Sequence, residues 1–213
     1  KNLQKAVLEE SLPNGLKDCQ VAVKEGKIVQ GTLNFAQEIN AGLIVVGTEG
    51  MNELRETIIG SRSSRLVELS ERDILVVPRR VFFKKPRKLV FASDYLEEDK
   101  LAIQKVVEWA TFFDAEIDLV HISSSQKAIE KALHQTMIDE IKPFVRYDKI
   151  NFVLKSYRDD LSLGLENYLQ VAKGDILVTL SEKKSFFDQI FSKNLSKKMS
   201  YFINKPLWVI KSF

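Results

Sequence analysis

Short runs of consecutive apolar residues alternate along this chain with longer stretches in which apolar positions recur at helical spacing. Leu43-Ile44-Val45-Val46, Ile74-Leu75-Val76-Val77, Leu89-Val90-Phe91-Ala92 and Leu207-Trp208-Val209-Ile210 are runs of the first kind. Unbroken and rich in branched side chains, they read as strands buried on both faces. Residues 97–113 are of the second kind, with Ala102, Val106, Trp109 and Phe113 on one face, as an amphipathic helix requires. Read in order, the pattern predicts a helix over 3–12, a strand over 19–23, a helix over 28–40, a strand over 43–46, a helix over 61–69 and a strand over 74–77. It continues with strands over 88–93, 116–122, 151–155, 175–180 and 206–211, separated by helices over 97–113, 126–141, 161–172 and 195–202. Such an alternation predicts an α/β fold with a parallel sheet covered on both faces.

The chain also repeats itself. A shift of 133 positions aligns Leu43-Ile44-Val45-Val46 with Ile176-Leu177-Val178-Thr179, and Ile74-Leu75-Val76-Val77 with Leu207-Trp208-Val209-Ile210. The same shift places Gly31 on Gly164 and Phe35 on Tyr168, without a gap. A period of domain size predicts duplicated domains rather than a solenoid. The expected division is 1–78 for the first copy, a connector over 79–87, and 88–213 for the second. Only the second copy has a full strand–helix complement. The counterparts of its first two strands would precede Lys1, so about 45 to 50 further residues are expected ahead of the first copy, because a buried strand left without partners strands several backbone groups.

Composition narrows the class. Apolar residues make up 45% and charged residues 29% of 213, which is ordinary for a globular protein. No apolar run approaches the ~20 residues of a membrane-spanning helix, and no membrane partner is expected. One cysteine, Cys19, and two histidines make no zinc site and suit a reducing, cytoplasmic setting. The net charge of +3 is local. Residues 79–88 hold six positive and no negative side chains; without them, 26 basic residues face 29 acidic ones, a net of −3. That distribution reads as a solvated basic connector rather than a nucleic-acid surface.

Candidate chemistry lies at Gly47-Thr48-Glu49-Gly50, followed nine residues later by Gly60-Ser61. The glycines follow a strand and precede a helix, so backbone N–H groups can approach a ligand with no Cβ in the way. The helix start offers a hydroxyl and an anion-binding terminus. The geometry suggests a phosphate or ribose-phosphate cradle, distinct in spacing from the P-loop and from the dinucleotide fingerprint. Glu49 and Glu53 lie within the loop and oppose a triphosphate, while Arg55 and Arg62 offset them.

The pattern G-x2-G-x9-G-[ST], carried by Gly47, Gly50, Gly60 and Ser61 and followed by the strand at Ile74-Leu75-Val76-Val77-Pro78, resembles that of the universal stress protein family. The resemblance implies a five-stranded parallel sheet of order 3-2-1-4-5 in each of two tandem domains, the first incomplete here. It implies ATP as ligand, with or without Mg2+, and Val46, Gly47, Gly50, Gly60, Ser61, Arg62 and Ser63 as contacting residues. Dimerisation through closing strands follows as well, here an internal pseudo-dimer of 74–77 against 207–210, with further homo-oligomers open. Asp94 matches the family's aspartate after the first strand. The second copy nevertheless carries Leu180, Lys183, Lys193 and Asn194 where the first has Gly47, Gly50, Gly60 and Ser61. Its site is expected to be degenerate, with Asp94 a relic or a helix cap, and with Leu180, Lys183 and Lys193 filling the nucleotide cavity.

For catalysis the chain offers little. His121 ends a strand and His134 lies in a helix, both read as structural or exposed. Ser123-Ser124-Ser125 lacks the glycines of a nucleophile elbow. The expected role is a nucleotide-binding regulatory protein of the stress response and not an enzyme. A scaffold that binds no nucleotide and a slow ATPase are the alternatives.

Overall fold

Every apolar run singled out above becomes a strand, and all seven strands join one sheet. The computed structural model describes residues 20–48, 61–78, 81–95, 97–123, 128–157, 161–181 and 205–211. The elements are α1 (Ile28–Glu38), β1 (Leu43–Gly47), α2 (Ser61–Leu69), β2 (Asp73–Val77), β3 (Lys88–Ala92), α3 (Asp99–Phe113), β4 (Glu116–Ser123), α4 (Ala128–Ile141), β5 (Ile150–Ser156), α5 (Leu161–Val171), β6 (Ile176–Ser181) and β7 (Leu207–Lys211). Three helix-to-strand turns share one device. Asn40, Asp114 and Lys173 adopt left-handed backbone conformations. The following N–H then reaches back to the last helical turn, Ala41 to Ala36, Ala115 to Ala110 and Gly174 to Leu169. This satisfies carbonyls that a helix end otherwise leaves unpaired.

The strand order is β1-β2-β7-β6-β3-β4-β5. From β5 to β7 the strands are parallel, and counted within residues 88–213 their order is 3-2-1-4-5. Among the described residues, the first part of the chain does not form a five-stranded sheet of its own. It adds the parallel pair β1 and β2 to the same sheet, through antiparallel pairing of β2 with β7, Leu75 opposite Trp208. The strand expected over 19–23 is not formed at residues 20–23, which have no regular structure. Its counterpart β5 pairs with β4, and among the described residues the first part has no strand equivalent to β4. Cys19 and the helices expected over 3–12 and 195–202 lie outside the described residues.

Each face of the sheet has its own core. Ile44, Ile74, Val76, Val90, Val120 and Val209 pack with Ala36 of α1, Leu66 and Val67 of α2, and Leu165 and Leu169 of α5. On the other face Phe91, Leu119, Val178 and Trp208 pack with Ala102, Ile103 and Val106 of α3 and Met137 and Ile141 of α4. Trp208 stacks on Trp109 at 4.4 Å between ring centres.

Beside that stack, the β2–β7 joint carries buried charge. Asp73 opens β2 and Lys211 ends β7, and both are buried. The Asp73 carboxylate accepts the Lys211 backbone N–H at 2.9 Å and the Lys105 ammonium at 3.0 Å. The Lys211 ammonium donates to the Val67 carbonyl at 2.6 Å and the Ser181 hydroxyl at 3.1 Å. Five elements, β2, β7, α3, α2 and β6, therefore meet on two side chains. Removing one partner of such a group leaves the other charge desolvated. Asp73→Ala should lower stability by about 2–3 kcal/mol in urea unfolding, toward the low end of buried pairs because Lys105 is partly exposed.

The repeat-related glycines differ in use. A Cβ on Gly164 would lie 2.8 Å from the Cβ of Tyr157 and 3.1 Å from Ile122, whereas one on Gly31 would meet nothing within 4 Å. Gly164 thus sets how closely α5 lies on the sheet, and Gly31 sets nothing comparable. Gly164→Ala should destabilise by about 1–3 kcal/mol through overpacking. Gly31→Ala should be neutral or gain up to ~1 kcal/mol from helix propensity, as paired thermal melts would read.

Candidate functional site

β1 ends at Gly47 and α2 starts at Ser61, with thirteen residues between them. The strand end and the helix start are brought together. The Ser63 hydroxyl, in the first turn of α2, donates to the Gly47 carbonyl at 2.7 Å, and the Thr48 N–H donates to the Val77 carbonyl at 3.2 Å. A loop that leaves β1 therefore returns to a helix N-terminus beside the point of departure, where unpaired N–H groups and the helix dipole favour negative charge. Among the described residues, a Cβ on Gly47 would meet nothing within 4 Å.

The candidate residues fare differently. Val46 is half-buried against the core formed with α1 and α2. Gly47 and Ser63 are in contact, and that bond commits the Ser63 hydroxyl to holding the loop closed. Arg62 is exposed on the outer face of α2. Ser61 is the first helical residue. Gly50 and Gly60, with Glu49, Glu53 and Arg55, lie outside the described residues. Ser64, which was not singled out from the sequence, is buried with a hydroxyl that has no hydrogen-bond partner among the described residues.

The corresponding region of the second part lies at the C-terminal end of β3. Asp94 is half-buried there, but the N-cap position of α3 is Glu98, without a side-chain cap; the expected capping role for Asp94 is not what α3 uses. Ser93 takes the structural part: its hydroxyl donates to Asp99 at 2.6 Å and accepts the Tyr95 N–H at 3.1 Å. Leu180 is buried in the core beside Trp208 and Ile210. Lys183, Lys193 and Asn194 lie outside the described residues.

Sequence reading also left His121 and His134 apart, and the fold joins them through Tyr95. The Tyr95 ring stacks on His121 at 4.1 Å, and its hydroxyl bonds His134 Nδ1 at 2.6 Å. His121 Nδ1 faces the Ser93 carbonyl at 2.7 Å; since a carbonyl only accepts, that nitrogen carries the proton in the neutral ring. His121 Nε2 is left facing Glu130 at 3.6 Å. The available signal was that residues at the C-terminal ends of adjacent parallel strands, Tyr95 just past β3 and His121 near the end of β4, come together at one sheet end.

Residues 1–78 match the Universal stress protein family. A universal stress protein from Archaeoglobus fulgidus DSM 4304 superposes with a TM-score of 0.67 at 13% identity, over 99% of this chain and 78% of the other. A Pseudomonas aeruginosa UCBPP-PA14 protein described as a candidate universal stress protein gives 0.67 at 14% identity, over 99% and 76%. At these identities the likeness establishes the fold. No curated protein matches the chain in sequence. Among the described residues, no helix is long and apolar enough to cross a membrane, and no cluster of side chains suits a metal ion.

The histidine cluster sets a pH dependence. Burial pushes His121 below its ordinary value of 6.5, offset only in part by the Ser93 carbonyl and Glu130. Burial, and then the proximity of His121, push His134 down as well. The unfolded chain therefore takes up protons before the folded one. The stabilisation is complete above about pH 6.5 and is lost as pH falls through the window beneath that value. Urea midpoints should drop between about pH 7 and pH 5, and the double variant His121→Asn, His134→Asn should flatten the drop.

Proposed function

We propose that this chain is a nucleotide-binding regulatory protein of the universal stress type, with ATP, alone or with Mg2+, as its ligand. The observation that carries this reading is the Ser63–Gly47 hydrogen bond. It draws together the two ends of the glycine-bearing loop and sets a helix N-terminus at the strand end, the arrangement a phosphate chain needs. The proposed contacts are Val46, Gly47, Gly50, Gly60, Ser61 and Arg62, with Ser63 holding the loop closed. The role is regulatory rather than catalytic, in a reducing cytoplasmic setting that the single Cys19 suits.

The tandem reading belongs to the same proposal. Residues 1–78 and 88–213 are two copies of one unit, joined by the connector 79–87 and paired edge to edge as an internal pseudo-dimer. The antiparallel β2–β7 contact supports it, since it pairs edges that would otherwise be open templates for another chain. The second copy then serves to position the first. Its Leu180 side chain, packed in the core where the first copy has Gly47, favours that role over a second nucleotide site.

Titration calorimetry tests the reading. ATP with Mg2+ should bind stoichiometrically, binding should be lost in Gly60→Leu, and it should persist in Asp94→Ala. No heat with the unsubstituted protein would leave the scaffold alternative standing. Equal loss in Asp94→Ala would move the site to the second copy. Steady phosphate release would place the protein among ATPases.

A further inference from the structure

The segment that joins β2 to β3 displays what a solvated connector has no need of. Phe82 and Phe83 are 85% and 84% exposed, two consecutive aromatic side chains standing in water. Lys84, Lys85 and Arg87 around them are exposed too, and none forms an ion pair within the described residues.

Both stems of the loop are fixed. At its start the Val81 N–H donates to the Pro78 carbonyl at 3.1 Å. At its end Pro86 is buried, Asp175 accepts the Arg87 and Lys88 N–H groups at 2.7 and 3.1 Å, and the Arg87 carbonyl accepts from Glu116 N at 2.8 Å. The residues between, Phe82 to Lys85, form an anchored tip without regular structure.

Acidic groups near the tip are already engaged. Asp114 pairs with Lys149 and Glu116 with Lys88 at 3.0 Å. The Asp114 carboxyl is held below its ordinary range by Lys149 first, with Lys85 contributing, which places Lys85 near the end of α3. There Phe112 is a third aromatic side chain in solvent, 81% exposed. One end of the molecule thus combines exposed rings with cations that form no ion pair among the described residues.

We propose that this loop docks the protein on an anionic phospholipid bilayer, with Phe82 and Phe83 entering the boundary between headgroups and acyl chains while Lys84, Lys85 and Arg87 face lipid phosphates. A surface of this kind requires a local cluster: aromatic rings at interfacial depth and a few basic residues within a Debye length of the membrane. A nucleic-acid strand requires more, since cations must track its backbone along a groove. Outside residues 79–88 the chain has a net charge of −3, so its excess of positive charge is carried by this short segment. The loop adds a peripheral surface contact and involves no membrane-spanning segment.

Co-sedimentation of the full chain with vesicles tests this. Binding should be clear on phosphatidylserine-containing vesicles, absent on pure phosphatidylcholine, and weakened by salt. Replacing Lys84 or Lys85 by Gln should weaken it about fivefold each. The double variant Phe82→Ser, Phe83→Ser should weaken it about tenfold or more with an unchanged thermal melt, because both rings are already in water. Phe83→Trp should be quenched by brominated acyl chains. Equal sedimentation with both vesicle types overturns the proposal, as does phosphatidylserine binding indifferent to the phenylalanine pair. Retention of a single-stranded oligonucleotide, with no vesicle binding, overturns it in favour of a nucleic-acid surface.

Discussion

A single antiparallel contact decides whether this sheet is one object or two. Within residues 88–213 the parallel strands run unbroken from β5 to β7, and within the first part β1 and β2 pair only with each other until β2 meets β7. Two strands do not make an independently stable sheet in water. Among the described residues, the β1–β2 pair is joined to the rest of the sheet through β7. Physical specificity at that contact comes from two unlike sources. The Trp208–Trp109 stack buries a large apolar surface on one face, and the Asp73 and Lys211 bonds require the two strand ends to be level. A slip by one residue would turn Trp208 to the wrong face and leave buried charges without partners.

The two repeats share a pattern but not a set of constraints. Tyr168 donates its hydroxyl to the buried Asp118 at 2.9 Å, and the same carboxylate takes Lys88 at 3.0 Å and Asn151 at 2.9 Å. Phe35, which occupies the equivalent repeat position, has no hydroxyl to give. Gly164 is likewise held small by Tyr157 and Ile122, while Gly31 faces open space. In both pairs the residue in the second part answers to β4 or β5, and the described first part has no equivalents of those strands.

Apolar periodicity made the strands and most helices legible, because burial on both faces writes itself as unbroken runs such as Leu89 to Ala92. It failed at residues 20–23, where a strand-like composition meets no partner strand; pairing is a tertiary condition that local pattern does not encode. Of the candidate site, the pattern anticipated a strand over 43–46, one residue short of the observed end at Gly47, and a helix start at Ser61. It did not anticipate that the Ser63 hydroxyl would be spent on the Gly47 carbonyl. Local pattern says nothing of the burial of the charged residues at strand ends, Asp73 and Lys211; the sheet order places them in the interior. His121 and His134 are thirteen residues apart in sequence, and the Tyr95 that joins them belongs to a third element.

The place of β7 has a consequence for the order in which the molecule can be assembled. β7 is made after all the other described strands, yet it sits between β2 and β6 rather than at an edge. While the chain emerges, β1 and β2 must wait with an open flank, and the Asp73 carboxylate must wait for its backbone donor, until residues at the far end of the sequence arrive. Closure is non-local and entropically late. During synthesis the nascent first part is therefore the portion most in need of protection, and shortening the chain by a single strand at its C-terminal side would part the sheet in the middle instead of trimming its border.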